Sequence, residues 1–505
     1  MAFVRNIWNW FQSVSENPKR FRIVFIVLSL ASMWPLFVSY YFPSLDSPAH
    51  LYNAKLLLEL LQGDSFIVQY FYQFNPMVVP NWIGHALLAL FYLISGEWWL
   101  AEKLMLVLYF VSLPLAADYF IRTIGGNRWL SFWSLPFVFS FVFSIGFYNY
   151  SLSIIFALLF LARSWQFFER QYSVREVLIL FSLLLLLYFS HGFTFLLTLF
   201  IWGASALPHL IHEWKKSESI KSLIYRFIKA VVLILPVVVL YRLNTAYHSG
   251  SPTFLEKGDL IKDIFRWRSL IVYHEGKEER WTVMISLLTI ALLMLVFVRT
   301  KIRFTLPQQR VILTVITLFT LYFLLPDNTG SAGFISVRIQ GWLAFMTIVF
   351  ISVSAVPNRI ALATTMFMLV AHFALVHFHA KVVRKDGMLL EQCSVAQDYI
   401  PEHSVLHFED LSGDWRFQHF SNFIALKSKD VACTENYEAA VDYFPLCFKP
   451  MSKDVVNSLN CTEQKLIMKP VVKDSIYQNT LKEILAKGSR IVFENESIVL
   501  LQSTK

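Results

Sequence analysis

The sequence predicts an all-α polytopic membrane bundle of about eleven transmembrane helices, followed by a C-terminal extracytoplasmic α+β domain. Three observations carry this. Hydrophobic residues make up 56% and charged residues 16% of the 505 residues, where a soluble domain is about a quarter charged. The apolar residues gather in runs close to the ~20 residues a helix needs to cross a bilayer. The basic residues form short clusters between those runs, the pattern of the positive-inside rule, so the net charge of +9 does not indicate nucleic-acid binding.

The N-terminal stretch Met1 to Arg22 is too polar and aromatic for a cleaved leader, and no small-residue cleavage site follows the first apolar run. The first span, Phe21–Tyr41, is entered from Lys19, Arg20 and Arg22, which places the N-terminus in the cytoplasm. Residues 42–102 then form an outer loop. Within it Ala49–Leu61 is amphipathic, and Trp82–Ile94 is a short interfacial helix flanked by Trp82, Trp98 and Trp99. Counting Trp82–Ile94 as a span would invert the vote of every later basic loop.

The remaining spans follow from the basic clusters. Leu104–Ile121 leads in to Arg122 and Arg128, Trp129–Phe147 leads out, and Leu152–Phe168 returns to Arg170 and Arg175. Val177–Phe189 leads out to Ser190-His191-Gly192, and Phe193–Leu210 returns to Lys215, Lys216 and Lys221. Phe227–Tyr241 opens a mixed-charge outer loop, Arg242–Arg280, and Trp281–Val298 comes back to Arg299, Lys301 and Arg303. Val311–Leu325, Gln340–Val353 and Ile360–His377 complete the bundle. The odd count puts residues 381–505 outside, so residues 1–380 are the transmembrane domain and 381–505 the extracytoplasmic one.

All four cysteines, Cys393, Cys433, Cys447 and Cys461, fall in that tail. Four cysteines confined to one segment suit disulfides in an oxidising compartment, with three connectivities open. No CxxC or CxxH spacing supports a zinc site instead. Strand character marks Ser404–Phe408, Lys465–Val472 and Arg490–Leu501, the last split by Asn495-Glu496-Ser497 as a hairpin turn. Asp398 to Ile400 and Asn479–Ala486 read as helical.

The most informative stretch is Ser44 to Lys55. Pro48 behind Ser47 or Asp46 opens the amphipathic helix, which puts Asp46, His50 and Asn53 on one face, away from the leucines. Helix capping alone would account for Asp46. Arg338, at the outer mouth of the tenth span, is suited to clamping a lipid-linked phosphate, and His191 on its outer turn is placed to line the same cavity. Asp118 is expected to pair with Arg122 at i+4. Asp327 is explained by turn chemistry, and Asp64 by a Gly-Asp turn. Arg242, Arg266 and Arg268 lie in the long outer loop. No Walker A, HExxH or GxSxG element stands in its required context.

The order of parts resembles the GT-C superfamily of integral-membrane glycosyltransferases: a basic start, one span, an acidic residue heading the first outer loop, interfacial helices, short-looped spans and an outer tail. The Asp-x-Pro-x-His start, the Gly-Phe-x-Asn-Tyr turn (Gly146–Tyr150) and the Tyr-x-x-His turn (Tyr188–His191) also resemble uncharacterised bacterial polytopic members. The resemblance implies a bacterial inner-membrane enzyme that transfers a sugar from a polyprenyl-phosphate donor to a lipid, glycan or protein acceptor. It implies Asp46 as general base, assisted by His50, with Asn53, Lys55, His191 and Arg338 in substrate binding. Many members carry adjacent loop acids, whereas Asp46 is followed by Ser47. This departure leaves metal dependence open, so no cofactor is assigned and a divalent cation stays possible. The rival readings are a transporter or flippase of a lipid-linked saccharide, which usually carries midplane charges and paired broken helices, and a non-catalytic envelope assembly protein.

Overall fold

The computed structural model describes Val14 and residues 17–215, 220–245, 251–330, 332–450, 461–470 and 475–503. The expectations for the N-terminal start, for Lys216 and for Val471 and Val472 lie outside the described residues. Among the described residues, seven helices are long and apolar enough to cross a membrane, and the chain is an integral membrane protein. The contacts divide it into two compact units. One comprises residues 1–35, 107–144 and 149–382, the other residues 36–106, 145–148 and 383–505.

The first unit is the helical bundle. Its helices are α1 (Pro18–Ala31), most of α5 (Trp98–Thr123), α6 (Phe141–Ser144), α7 (Tyr148–Ser164), α8 (Val174–Ser190), α9 (Gly192–Lys215) and α10 (Ile220–Thr245). They continue as α11 (Lys257–Arg266), α12 (Glu275–Thr300), α13 (Leu306–Leu324), α14 (Ile335–Ser352) and the first part of α15 (Asn358–Ser394). Helix α14 is apolar on all sides and packs against α12 and α13, so 89% of its length is buried within the protein. By contrast only 17% of the apolar stretch of α10 is buried, as expected of a helix that faces lipid. The first span departs from its predicted length: α1 stops at Ala31 and continues as a short 3₁₀ turn, Trp34–Phe37. The span predicted over Trp129–Phe147 is not a regular α-helix. It is the buried 3₁₀ segment Arg128–Phe139, with Pro136 inside it, followed by the four-residue α6.

The second unit joins the first-loop helices to the tail. It contains α2 (Ser47–Gln62), α3 (Phe66–Phe71), α4 (Ile83–Ser95) and α16 (Phe420–Ile424), with α17 (Ser475–Ala486) on its sheet. Its sheet holds β2 (Ser404–Asp410), β3 (Val431–Cys433), β5 (Thr462–Met468), β6 (Ser489–Glu494) and β7 (Ile498–Ser503) in the order β3-β2-β5-β7-β6. β2 runs parallel to β3 and β5, and the predicted β6–β7 hairpin is antiparallel. Tyr477, Leu481 and Ile484 of α17 close over Ile467, Val499 and Leu501. A two-stranded sheet pairs β1 (Tyr72–Phe74) of the loop with β4 (Leu446–Phe448) of the tail. The Tyr52 hydroxyl donates to Val431 O at 2.7 Å and accepts from Cys433 N at 2.9 Å, which fixes α2 on β3. α4 is 13 residues long and is not among the helices long enough to span, as its interfacial reading requires.

The disulfide expectation is corrected. All four cysteines are free thiols. Cys433 is enclosed in β3 with its thiol 3.7 Å from Ser421 O, and Cys393 ends α15 with its sulfur 3.9 Å from the Asn495 amide, so their sulfurs lie in different surroundings. Burial pushes the Cys433 thiol up to about 11, which suppresses the reactive thiolate. Alkylation of the purified chain in denaturant without reductant should label about four thiols per chain; two or fewer would reveal a disulfide.

Candidate functional site

In the second unit the site is built around the head of α2. Asp46 is the N-cap by position, yet its carboxylate makes no capping bond, and Ser44 Oγ accepts from Ser47 N at 3.2 Å instead. The carboxylate is thus left for other partners, and capping does not explain it. It is only 6% exposed. His419 Nε2 lies 3.6 Å from Asp46 Oδ1, and the Tyr437 hydroxyl is hydrogen-bonded to the same side chain. Burial lowers His419 to about 4, so it stands neutral beside the acid at pH 7. Burial, then the charges of Asp46 and Glu438, raise Tyr437 well above its ordinary value and keep it a donor.

The Gly146 turn reaches the same point. Asp46 N donates to Ile145 O at 3.0 Å. A Cβ on Gly146 would stand 2.9 Å from both Cβ and N of Asp46, and the residue has φ +99, so only glycine permits this approach. Tyr148 in the same turn donates to Glu102 Oε1 at 2.7 Å, and Glu102 also accepts from the Ser47 hydroxyl.

One turn along α2, His50 directs Nε2 to Gly146 O at 2.9 Å and Nδ1 to Glu438 Oε1 at 2.5 Å. His85 of α4 directs Nδ1 to Asn81 O at 2.8 Å and Nε2 to Glu438 Oε2 at 2.7 Å. Burial opposes the Glu438 charge, but His85 and His50 outweigh it and hold the carboxyl at about 2. For His50, burial likewise opposes protonation, and Glu438 outweighs it, so its pKa is raised. Asn53 exchanges amide hydrogen bonds with Asn436 at 3.0 and 3.1 Å. The shared face of Asp46, His50 and Asn53 therefore exists as the spacing requires, but it is covered by Asn436-Tyr437-Glu438. Lys55 lies beyond this group, 3.3 Å from Glu59. Asp64 is exposed and paired with Lys429.

In the first unit, His191 and Arg338 do come together. Nη1 of Arg338 is 3.3 Å from His191 Nε2, and its guanidinium lies over the rings of Tyr150 and Phe193 at 5.3 and 6.0 Å. Nδ1 of His191 accepts from Thr194 N at 3.3 Å and lies 3.1 Å from Thr194 Oγ1, which fixes the ring at the head of α9. Arg338 itself is 5% exposed. Asp118 pairs with Arg122 at 2.8 Å as predicted, and Asp327 accepts from Ser336 N at 3.1 Å. Arg266 pairs with Asp263 at 2.8 Å and Arg268 donates to Ile271 O at 2.7 Å. A cavity of about 480 Å³ in this unit, between Gly125–Trp129 and Ser352–Ala355, lies at the far end of α14 from Arg338 and contains none of the predicted site residues.

Neither a protein-family model nor a curated protein sequence matches this chain. Its structure, however, superposes on that of ArnT from Cupriavidus metallidurans bound to undecaprenyl phosphate, with a TM-score of 0.55 over 96% of this chain and 98% of that one, at 9% identity. The apo form of the same protein matches with a TM-score of 0.55 over 95% and 97% of the two chains. The fold is GT-C-like. A GT-C-like fold is what the order of parts in the sequence implied, and the likeness extends over nearly the whole chain.

His85, Glu102, His419, Tyr437 and Glu438 were not legible as site residues. His85 sits inside an apolar run and the tail residues in an irregular segment. The Gly-Phe-x-Asn-Tyr turn was the usable signal, since it carries both Gly146 and Tyr148. Gly146→Ala should push Asp46 off its position and cost roughly 1–3 kcal/mol of stability in thermal unfolding; an unchanged midpoint would show that the approach is not tight.

Proposed function

We propose that the chain is a membrane glycosyltransferase that moves a sugar from a polyprenyl-phosphate donor to an extracytoplasmic acceptor. The observation that carries this is Asp46: a buried carboxylate at the head of the first loop, released from capping, in a GT-C-like fold. The neighbour's undecaprenyl phosphate supports the choice of lipid carrier. In this reading Asp46 takes the proton of the acceptor hydroxyl as that oxygen bonds to the anomeric carbon. The bond from the anomeric carbon to the phosphate oxygen breaks, and polyprenyl phosphate leaves with the electron pair. Tyr437 and the neutral His419 orient the carboxylate. His50, with both nitrogens engaged, holds the Gly146 turn, and Asn53 holds the covering segment. Arg338 is the candidate for the lipid phosphate, with His191 lining the same pocket beside its guanidinium; Lys55 is a weaker candidate because it is engaged by Glu59.

Asp46→Asn keeps shape and hydrogen bonding but removes the base. Envelope glycan analysis of a strain carrying it, at matched protein level, should show transfer reduced by about 10²–10⁴-fold. Wild-type glycans would exclude Asp46 as the base. The orientation has its own check, since the basic-loop count puts the N-terminus in the cytoplasm and the tail outside. A protease site inserted before Lys505 should be cut from the outer face of intact spheroplasts, and protection would reverse the assignment.

A further inference from the structure

The geometry points to a divalent transition-metal site, of the zinc type, formed by His50 Nδ1, His85 Nε2 and the Glu438 carboxylate. These three atoms lie within 4.8 Å of one another, and their residues are 4%, 0% and 0% exposed. Such burial excludes a chance surface grouping.

The tautomers are the independent observation. His50 Nε2 faces Gly146 O at 2.9 Å and His85 Nδ1 faces Asn81 O at 2.8 Å. A carbonyl only accepts, so each of these nitrogens carries its proton. In the neutral rings the remaining nitrogens, His50 Nδ1 and His85 Nε2, then present lone pairs toward each other and toward Glu438. Donation of the outer ring N–H to a backbone carbonyl is how metal-binding histidines are oriented. Glu438 Oε1 adds a second sign: it is buried and close to His50, yet no aligned hydrogen bond reaches it.

Without a metal, the two facing nitrogens stand 3.4 Å apart beside one buried carboxylate. The 3.4 Å between the two nitrogens is close to the ~3.3 Å edge of a tetrahedron with zinc–nitrogen bonds near 2.05 Å, and Glu438, at 2.5 and 2.7 Å from them, would draw back to open the same spacing. Two imidazoles and one carboxylate favour zinc over magnesium or calcium, which take oxygen ligands. Such an ion would clamp α2, α4 and the tail segment at one point and, through the Gly146 carbonyl on His50, steady the turn against Asp46. None of its ligands is the proposed base, so the site does not depend on the glycosyl-transfer reading.

The full chain, purified in detergent without chelator, is expected to hold about one zinc by elemental analysis, falling below about a tenth in His85→Gln and in Glu438→Gln while Asp46→Asn keeps it. Chelator-stripped wild type should regain its unfolding midpoint on adding zinc, and cobalt in its place should give the visible absorption of a tetrahedral site. X-ray absorption on the wild-type zinc should show imidazole scattering, which decides the matter if both variants fail to fold. Wild type that neither retains zinc nor shifts its midpoint on adding it would overturn the proposal. So would zinc undiminished in both variants, or a zinc spectrum lacking imidazole.

Discussion

A carboxylate with no access to water cannot be left alone, and Glu438 is such a group. Its burial is tolerated only because His50 and His85 approach it at 2.5 and 2.7 Å. Removing one partner of a buried pair of this kind typically costs about 3–5 kcal/mol. The contact therefore sets where α2 and α4 stand relative to the segment Asn436-Tyr437-Glu438, and much else in the second unit follows. With α2 placed, Tyr52 reaches β3 and Asn53 meets Asn436, and the Asp46 carboxylate arrives beside His419 and Tyr437.

That placement also accounts for an acid that a helix start would ordinarily consume. Ser44 takes over the capping bond, and the positive φ of Gly146 brings a second chain segment within van der Waals distance of Asp46. The carboxylate is flanked by the neutral His419 and the donor Tyr437, while the Gly146 turn fixes its backbone. A carboxylate fixed in this way has its orientation set before any partner reaches it.

How much of this could be read from residue order depends on the range of the interactions. Elements set by local periodicity were legible: the apolar helices, the short apolar helix Ile83–Ser95, and the β6–β7 hairpin around Asn495-Glu496-Ser497. The i, i+4 face of Asp46 and His50 and the pairing of Asp118 with Arg122 belong to the same class. The 3₁₀ run at Arg128–Phe139 escaped because an apolar segment of that length carries the same hydropathy whether it is α or 3₁₀. The pairing of Gln73 with Cys447 across 374 residues leaves no local trace. The cysteines misled for the opposite reason. Their grouping in one segment was a real pattern, but count and compartment do not fix geometry, and each thiol is placed by its own element. His85 and Glu438 show the limit most plainly, since each has an ordinary neighbourhood in sequence and acquires meaning only from the other.

The second unit is assembled from stretches that the ribosome delivers far apart. His85 leaves it 353 residues before Glu438 does, roughly 20–70 s earlier at ordinary rates of synthesis. Throughout that interval the polar face of α2 has neither its carboxylate nor its covering segment, and β1 has no partner strand. The loop must wait as an unfinished half-site while every later span is inserted. Biogenesis, more than the stability of the finished fold, is where this chain is most vulnerable. A truncation that spares all the apolar helices but removes the tail would leave that half-site permanently open.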